Sequence, residues 1–345
     1  MLLLLLLLLN TTSALDCLNE QGKRVDSWIS IKTPQGTTYF YYDSQYNLFD
    51  ISPHSLNDTS SGALAHTTKQ LWYSDTNYIL YNDQPPKEYE FNETHNTDVK
   101  ANFTLFGHTK GFFAFDKKAN GFWLTHSIPL FPLGPTKTDD YLGLGSNAYT
   151  YAQHLLCLSV NAETLNNLAY KFLLNKPNIY DSNIKTTNYD YINQLLEGKY
   201  STAKRCESSL FLTQAGAEFT VYSKTAQWNN ELYSECVTPQ QKDTLLVETW
   251  IRGSAEGAVC PVTEYDTLDI KNLDFIVNNN IHYSWPETKD HSKWAITLTK
   301  PIVCMGDINR MTTQYSRGGG TACFSDEILH SVLKKAVTET DSCKK

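Results

Sequence analysis

The tripeptides His108-Thr109-Lys110 and His291-Ser292-Lys293 stand 183 residues apart in a chain of 345. Each lies in a run that alternates like a β-strand, Gly107 to Phe115 and Asp290 to Leu298. Side chains two apart on a strand share a face, so each segment presents an imidazole beside an ammonium. Two such segments facing one another make a cationic pocket with two titratable rings, chemistry suited to attack on a phosphodiester. That arrangement requires one chain to build two similar halves and bring them together. His126 ends the next strand-like run, eighteen residues after His108, and Asn309 stands eighteen after His291. The shared offset points to an internal duplication. Two unrelated strand histidines are the competing reading, since the chain holds 9 His.

The coarse pattern agrees with two halves. From Cys17 to about Val160 the sequence reads as mostly β: Trp28 to Lys32 and Thr37 to Asp43 alternate around a Pro34-Gln35-Gly36 turn, predicting a hairpin. Ser61 to Tyr73 is compatible with helix, and Leu130 to Asn147 is a long connection punctuated by Pro and Gly. Helical spacing recurs at Ala162–Leu174 and Asp190–Leu196. Strands resume at Ser208, Glu218 and Leu245, and Asp326–Val337 reads as a terminal amphipathic helix. The expected organisation is a signal peptide over 1–14, a first half over 15–160, a connecting segment over 161–205 and a second half over 206–345. The expected fold class is mixed α/β (α+β), a pseudo-twofold sandwich with its site at the seam.

The N-terminus carries Leu2 to Leu9 followed by small and polar residues to Ala14, the pattern of a secretory signal. No later segment is apolar enough over its length to span a bilayer. The 8 Cys are even in number and form no C-x-x-C motif, so disulfides in an oxidising compartment are the simplest use for them. Asn57, Asn92 and Asn102 each open a glycosylation sequon. The net charge of −8 at pH 7 disfavours polyanion binding in neutral solution, but protonating all 9 His takes it to about +1. A nucleic-acid enzyme working in acid needs that change of sign. No H-E-x-x-H, P-loop, G-x-S-x-G or Cys/His zinc pattern is present, which removes those mechanistic classes.

The paired HxK signature resembles the phospholipase D superfamily, and longer blocks narrow the resemblance. Leu15 to Lys23, Gly107-His108-Thr109-Lys110-Gly111, Gly121 to Pro129, Asp290 to Trp294, Gly306 to Arg310 and Arg317 to Thr321 are similar to deoxyribonuclease II, in family order over nearly the whole chain. The resemblance implies a phospholipase D-like sandwich and an acid endodeoxyribonuclease, lysosomal or secreted. Such an enzyme cuts DNA without metal or other cofactor through a phosphohistidine and leaves 3′-phosphate ends. It makes His108 the nucleophile, His291 the general acid, and Lys110 and Lys293 the stabilisers of phosphoryl charge. Asn309 matches the phosphate-orienting Asn, and His126 is placed with it by the shared offset, both as substrate-binding residues. Asp307 either orients a histidine or ligand or caps a turn. Arg317-Gly318-Gly319-Gly320 reads first as a tight turn, with a phosphate-binding nest as the other reading. The family also implies disulfides Cys17–Cys157, Cys304–Cys323 and Cys260–Cys343, leaving Cys206–Cys236. Two departures stand out: Asp116 comes one residue late for the superfamily's Asp after the Lys, and Thr299 takes its place in the second half. DNA is the partner the resemblance implies, and the oligomeric state stays open, a homodimer included. The competing functions are an inert secreted paralogue that binds DNA or a protein, and a phosphodiesterase for lipid or RNA.

Overall fold

A computed structural model describes residues 14–89, 105–186, 188–262, 264–277 and 280–343. The proposed signal peptide up to Ser13 and the sequons at Asn92 and Asn102 lie outside the described residues. Asn57 is within them, half-buried, its Oδ1 accepting from the Leu144 N–H at 2.6 Å.

Two large sheets carry the chain. The first is ordered Ile179–Asn183, Asn77–Asn82, Lys110–Phe115, Asn120–His126, Gln153–Asn161, Ser27–Lys32, Tyr39–Asp43, Asp50–Ile51. The second runs Cys206–Leu212, Glu218–Lys224, Gly319–Ser325, Ile302–Gly306, Lys293–Thr297, Leu245–Thr249, Thr267–Val277, Ile281–Pro286, with Val337–Thr340 joined to Thr267–Val277. The HxK strand of each sheet has the same neighbours: an earlier antiparallel strand on one side, a hairpin partner on the other, and beyond that the strand feeding a helix. This is the predicted pseudo-twofold α/β architecture.

The helices fill the seam for reasons visible in their sequence. Helix Ala162–Asn175 starts where the Asn161 side chain accepts from the Thr164 N–H, and ends at Lys176 in the left-handed region. Its Leu165, Leu168, Ala169 and Phe172 recur at helical spacing and enter one core with Ile79 and Trp123 of the first sheet and Phe219 and Ala322 of the second. The equivalent helix Glu327–Ala336 is capped by Asp326, whose carboxylate accepts from the Leu329 N–H and, across the seam, from the Tyr42 hydroxyl at 2.7 Å. Residues 161–205 therefore do more than connect. They supply this shared helix and the edge strand Ile179–Asn183 of the first sheet.

Four disulfides, Cys17–Cys157, Cys206–Cys236, Cys260–Cys343 and Cys304–Cys323, account for all eight cysteines. Three are the pairs the family resemblance implies, and Cys206–Cys236 is the pair that was left over. Cys17–Cys157 ties the start of the described chain to the strand Gln153–Asn161, and Cys304–Cys323 joins neighbouring strands beneath the site.

Candidate active site

Strand pairing defines which positions of the two halves correspond. Lys110 pairs with Asn82 and Lys293 with Thr249. Gly111 pairs with Thr125 and Trp294 with Met305, which matches Ser127 to Asp307 in the residues that follow. Carried across the next strand, where His126 pairs with Leu155 and Gly306 with Thr321, the register matches Ala152 to Gly318 and Tyr151 to Arg317.

Each strand begins at its Lys, so each His sits at the strand entrance, and there it is held by the opposite half. The His108 N–H donates to the Gly318 carbonyl and the His291 N–H to the Ala152 carbonyl, both at 2.9 Å. Each ring is gripped the same way: His108 Nδ1 lies 2.6 Å from the Asp307 carbonyl oxygen, and His291 Nδ1 lies 3.0 Å from that of Ser127. A carbonyl only accepts, and at His291 it is closer than the other neighbour of Nδ1, Lys293 Nζ at 3.4 Å, so Nδ1 carries the proton in both rings and Nε2 of the neutral imidazole is left with its lone pair for chemistry. The two acceptors are fixed in turn, since Ser127 N–H donates to the His154 carbonyl and Asp307 N–H to that of Gly320. The halves are thus complete only together.

Close packing at this seam explains part of the glycine run. A Cβ on Gly107 would stand 1.9 Å from the Asn175 carbonyl oxygen, and one on Gly318 would stand 2.2 Å from it. The end of the shared helix therefore rests directly on both backbones. Gly319 and Gly320 open the strand Gly319–Ser325, so the run starts a strand rather than forming a phosphate nest.

Electrostatics follow from burial. Lys110 and Lys293 are buried, as is His108. Burial, then Lys110, Arg317 and Lys293, holds His108 well below the usual imidazole value. Burial, then Lys293 and Lys110, does the same to His291, and a charge on His108 adds to the effect. Lys293 is also well below its ordinary value, first through burial and then through Lys110, despite the carboxylates nearby. Asp307 is pushed up to about 7 by burial, although its Oδ1 accepts from the Gly320 N–H at 2.7 Å.

The symmetric frame holds two different linings. Beside His108, Asp83 accepts from Lys110 Nζ and, at 2.9 Å, from Arg317, with its Oδ2 3.8 Å from His108 Nε2. Burial alone would raise the Asp83 pKa, but Lys110 and Arg317 outweigh it and keep the carboxyl below its usual range. At the positions matching Asp83 and Arg317, the second half has Trp250 and Tyr151, whose rings meet edge to face at 4.4 Å. Trp250 in turn packs on the His291 ring at 5.0 Å.

A sequence model of deoxyribonuclease II matches residues 16–343. The chain belongs to the deoxyribonuclease II family. It is 35% identical to a putative deoxyribonuclease-2 of Burkholderia pseudomallei, over 94% of this chain and 91% of that one. It is 33% identical to deoxyribonuclease-2 of Caenorhabditis elegans, over 98% and 96%, and 29% identical to deoxyribonuclease-2-alpha of Sus scrofa, over 100% and 95%. Among solved structures, yeast tyrosyl-DNA phosphodiesterase aligns with a TM-score of 0.31 and 9% identity, over 64% of this chain and 66% of that one.

For a deoxyribonuclease II chain, the structure brings His108, Lys110, His291, Lys293 and Asp307 to one seam and buries His126. His126 is fully buried; its Nδ1 accepts from the Ile128 N–H and its ring packs on Phe131, so it shapes the turn carrying Ser127. By strand register it matches Gly306, not Asn309, because the second hairpin is shorter. The eighteen-residue step shared by His126 and Asn309 is therefore not a structural equivalence. Asn309 is 6% exposed, with no hydrogen-bond partner for its Oδ1 among the described residues. Sequence reasoning missed Asp83, Trp250 and Tyr151 altogether, and missed the Arg317 side chain.

Proposed function

We propose that this chain is an acid endodeoxyribonuclease that hydrolyses DNA by double displacement at the seam, without a metal. Family membership supplies the coarser statement, a deoxyribonuclease II-like nuclease. The observation that carries the finer reading is the reciprocal grip on the imidazoles, each Nδ1 held by a carbonyl of the opposite half with Nε2 free.

In the proposed reaction neutral His108 Nε2 attacks phosphorus in line with the P–O5′ bond. Protonated His291 gives its Nε2 proton to O5′ as that bond breaks. The product is an N–P bond to His108 carrying the 3′-phosphoryl strand. Water then attacks phosphorus, giving its proton to His291, and releases a 3′-phosphate. Lys110 and Lys293 meet the charge on the non-bridging oxygens. The unequal linings favour this order of roles. A phosphorylated imidazole is cationic, and Asp83 stands beside His108 to meet that charge. His291 has an indole where His108 has a carboxylate, so no anion holds its proton back.

Acid dependence follows from the same electrostatics. Turnover needs one imidazole charged and one neutral, yet both are depressed by burial and by neighbouring cations. At neutral pH the doubly neutral site dominates, and falling pH supplies the missing proton until both rings charge. Asp307 acts in the same direction, being ionised above about pH 7, where it repels a phosphodiester, and neutral in acid. Plasmid DNA is expected to be cut at pH 5 with EDTA present and far more slowly at pH 7.5. Asp307→Asn should extend activity toward neutral pH. Cleavage that needs a divalent cation, or that peaks above pH 7, would contradict the mechanism; intact DNA binding without cleavage would favour the inert-paralogue reading.

The proposed setting is lysosomal or extracellular, supported by the four disulfides. No helix among the described residues is long and apolar enough to cross a membrane.

A further inference from the structure

The difference between the two linings has a consequence for how a DNA strand lies in the site. On the His108 side the matched positions hold the Asp83–Arg317 ion pair, buried and closed around Lys110. On the His291 side they hold Trp250 and Tyr151, both only partly buried, and a cleft of about 370 Å³ opens there, lined also by His291, Leu130, Gln84 and Lys87. Arg252 lays its guanidinium over both aromatic rings, 4.5 Å from the centroid of Trp250 and 5.6 Å from that of Tyr151. Aromatic faces beside exposed cations are the equipment for holding a base and its flanking phosphate. Gln84, Asn147 and Gln153 add amides to the same lining, groups able to meet the edge of a base.

We infer that this cleft is a nucleobase subsite, and that it takes the unstacked base of the nucleotide on the leaving side of the scissile phosphate. The polarity follows from the proposed order of roles, on which this inference rests. His291 protonates O5′, so the nucleoside bearing O5′ lies nearest His291 and its base has Trp250 and Tyr151 within reach. The base displaces the Arg252 guanidinium from the aromatic pair and stacks there, and Arg252 then faces the next phosphate along the strand together with Lys87. At the matched positions the His108 side has an ion pair in place of the aromatic pair, so the nucleotide on the other side of the scissile phosphate gains no stacking from those positions.

The test uses single-stranded oligonucleotides with one base removed, either just 3′ or just 5′ of a mapped scissile phosphate, cut at pH 5. Losing the 3′ base should lower kcat/KM by about ten- to a hundredfold, and losing the 5′ base much less. Trp250→Ala should cut the intact and 3′-abasic substrates at one common low rate, whereas Trp250→Phe keeps the preference. Equal sensitivity to both abasic positions, a stronger effect on the 5′ side, or unchanged discrimination by Trp250→Ala would overturn the subsite. A second measurement stands apart from cleavage. The Trp250 indole N–H resonance, assigned with Trp250→Phe, should shift when the non-cleaving variant His108→Ala is titrated with the tetranucleotide dA4. A shift in a protein that cuts no DNA would remove the nuclease reading and leave the base subsite standing; no shift would remove the subsite.

Discussion

Replacing His291 by Ala is expected to slow cleavage of ordinary DNA by roughly 10²–10⁴-fold, the usual contribution of a positioned acid–base group. Replacing His108 by Ala should leave no cleavage above background, because it removes the proposed nucleophile while His291 is committed to the proton. The two losses differ in kind, and a substrate with sulfur in place of O5′ separates them. A thiolate leaves without a proton, so His291→Ala should recover the first step on that substrate, read as a burst of thiol with the phosphohistidine accumulating for want of the base that activates water, and His108→Ala should recover none. Recovery by His108→Ala instead would exchange the roles. Both rings are bonded through Nδ1 to a carbonyl of the other half, so each substitution removes the same backbone contact.

The second large effect belongs to Asp83, which no motif announces. It is 2% exposed and bonds both Lys110 and Arg317. Arg317 also donates to the Phe106 and Gly107 carbonyls, so the carboxylate anchors the segment leading into His108. Asp83→Ala leaves two buried cations without their shared anion, and breaking a buried pair in this way costs about 3–5 kcal/mol. Asp83→Asn keeps the shape and part of the hydrogen bonding. It should melt below wild type yet fold, and lose on the order of 10²-fold in kcat with KM little changed, because the charge it meets develops on His108 during attack. An Asn variant matching the wild type in kcat would show that Asp83 is structural only.

How much of this was legible in the sequence depended on whether a feature was local. Helices announced themselves: Asp190–Leu196 is helical over the expected residues, and Ala162–Asn175 and Glu327–Ala336 differ from expectation by a residue or so. Their apolar spacing and Asn or Asp caps are local signals. The HxK pairs were legible because strand geometry links residues two apart. The rest of the duplication was hidden by loop length. Asp83 and Trp250 match in the sheets but stand 167 residues apart, not 183, since different loops separate them from their HxK strands. The same variation made His126 and Asn309 look equivalent when the register pairs His126 with Gly306. Arg317 was read for its glycines because a buried ion pair with a residue 234 positions away leaves no trace in spacing.

In the proposed reaction an imidazole, not water, first attacks phosphorus. The stereochemical course at phosphorus tests it most directly, using an oligonucleotide with one phosphorothioate of known configuration at the scissile position, cut in ¹⁸O-labelled water. Two successive in-line displacements, first by His108 and then by water, predict overall retention. Overall inversion would mean a single displacement by water and would contradict the account.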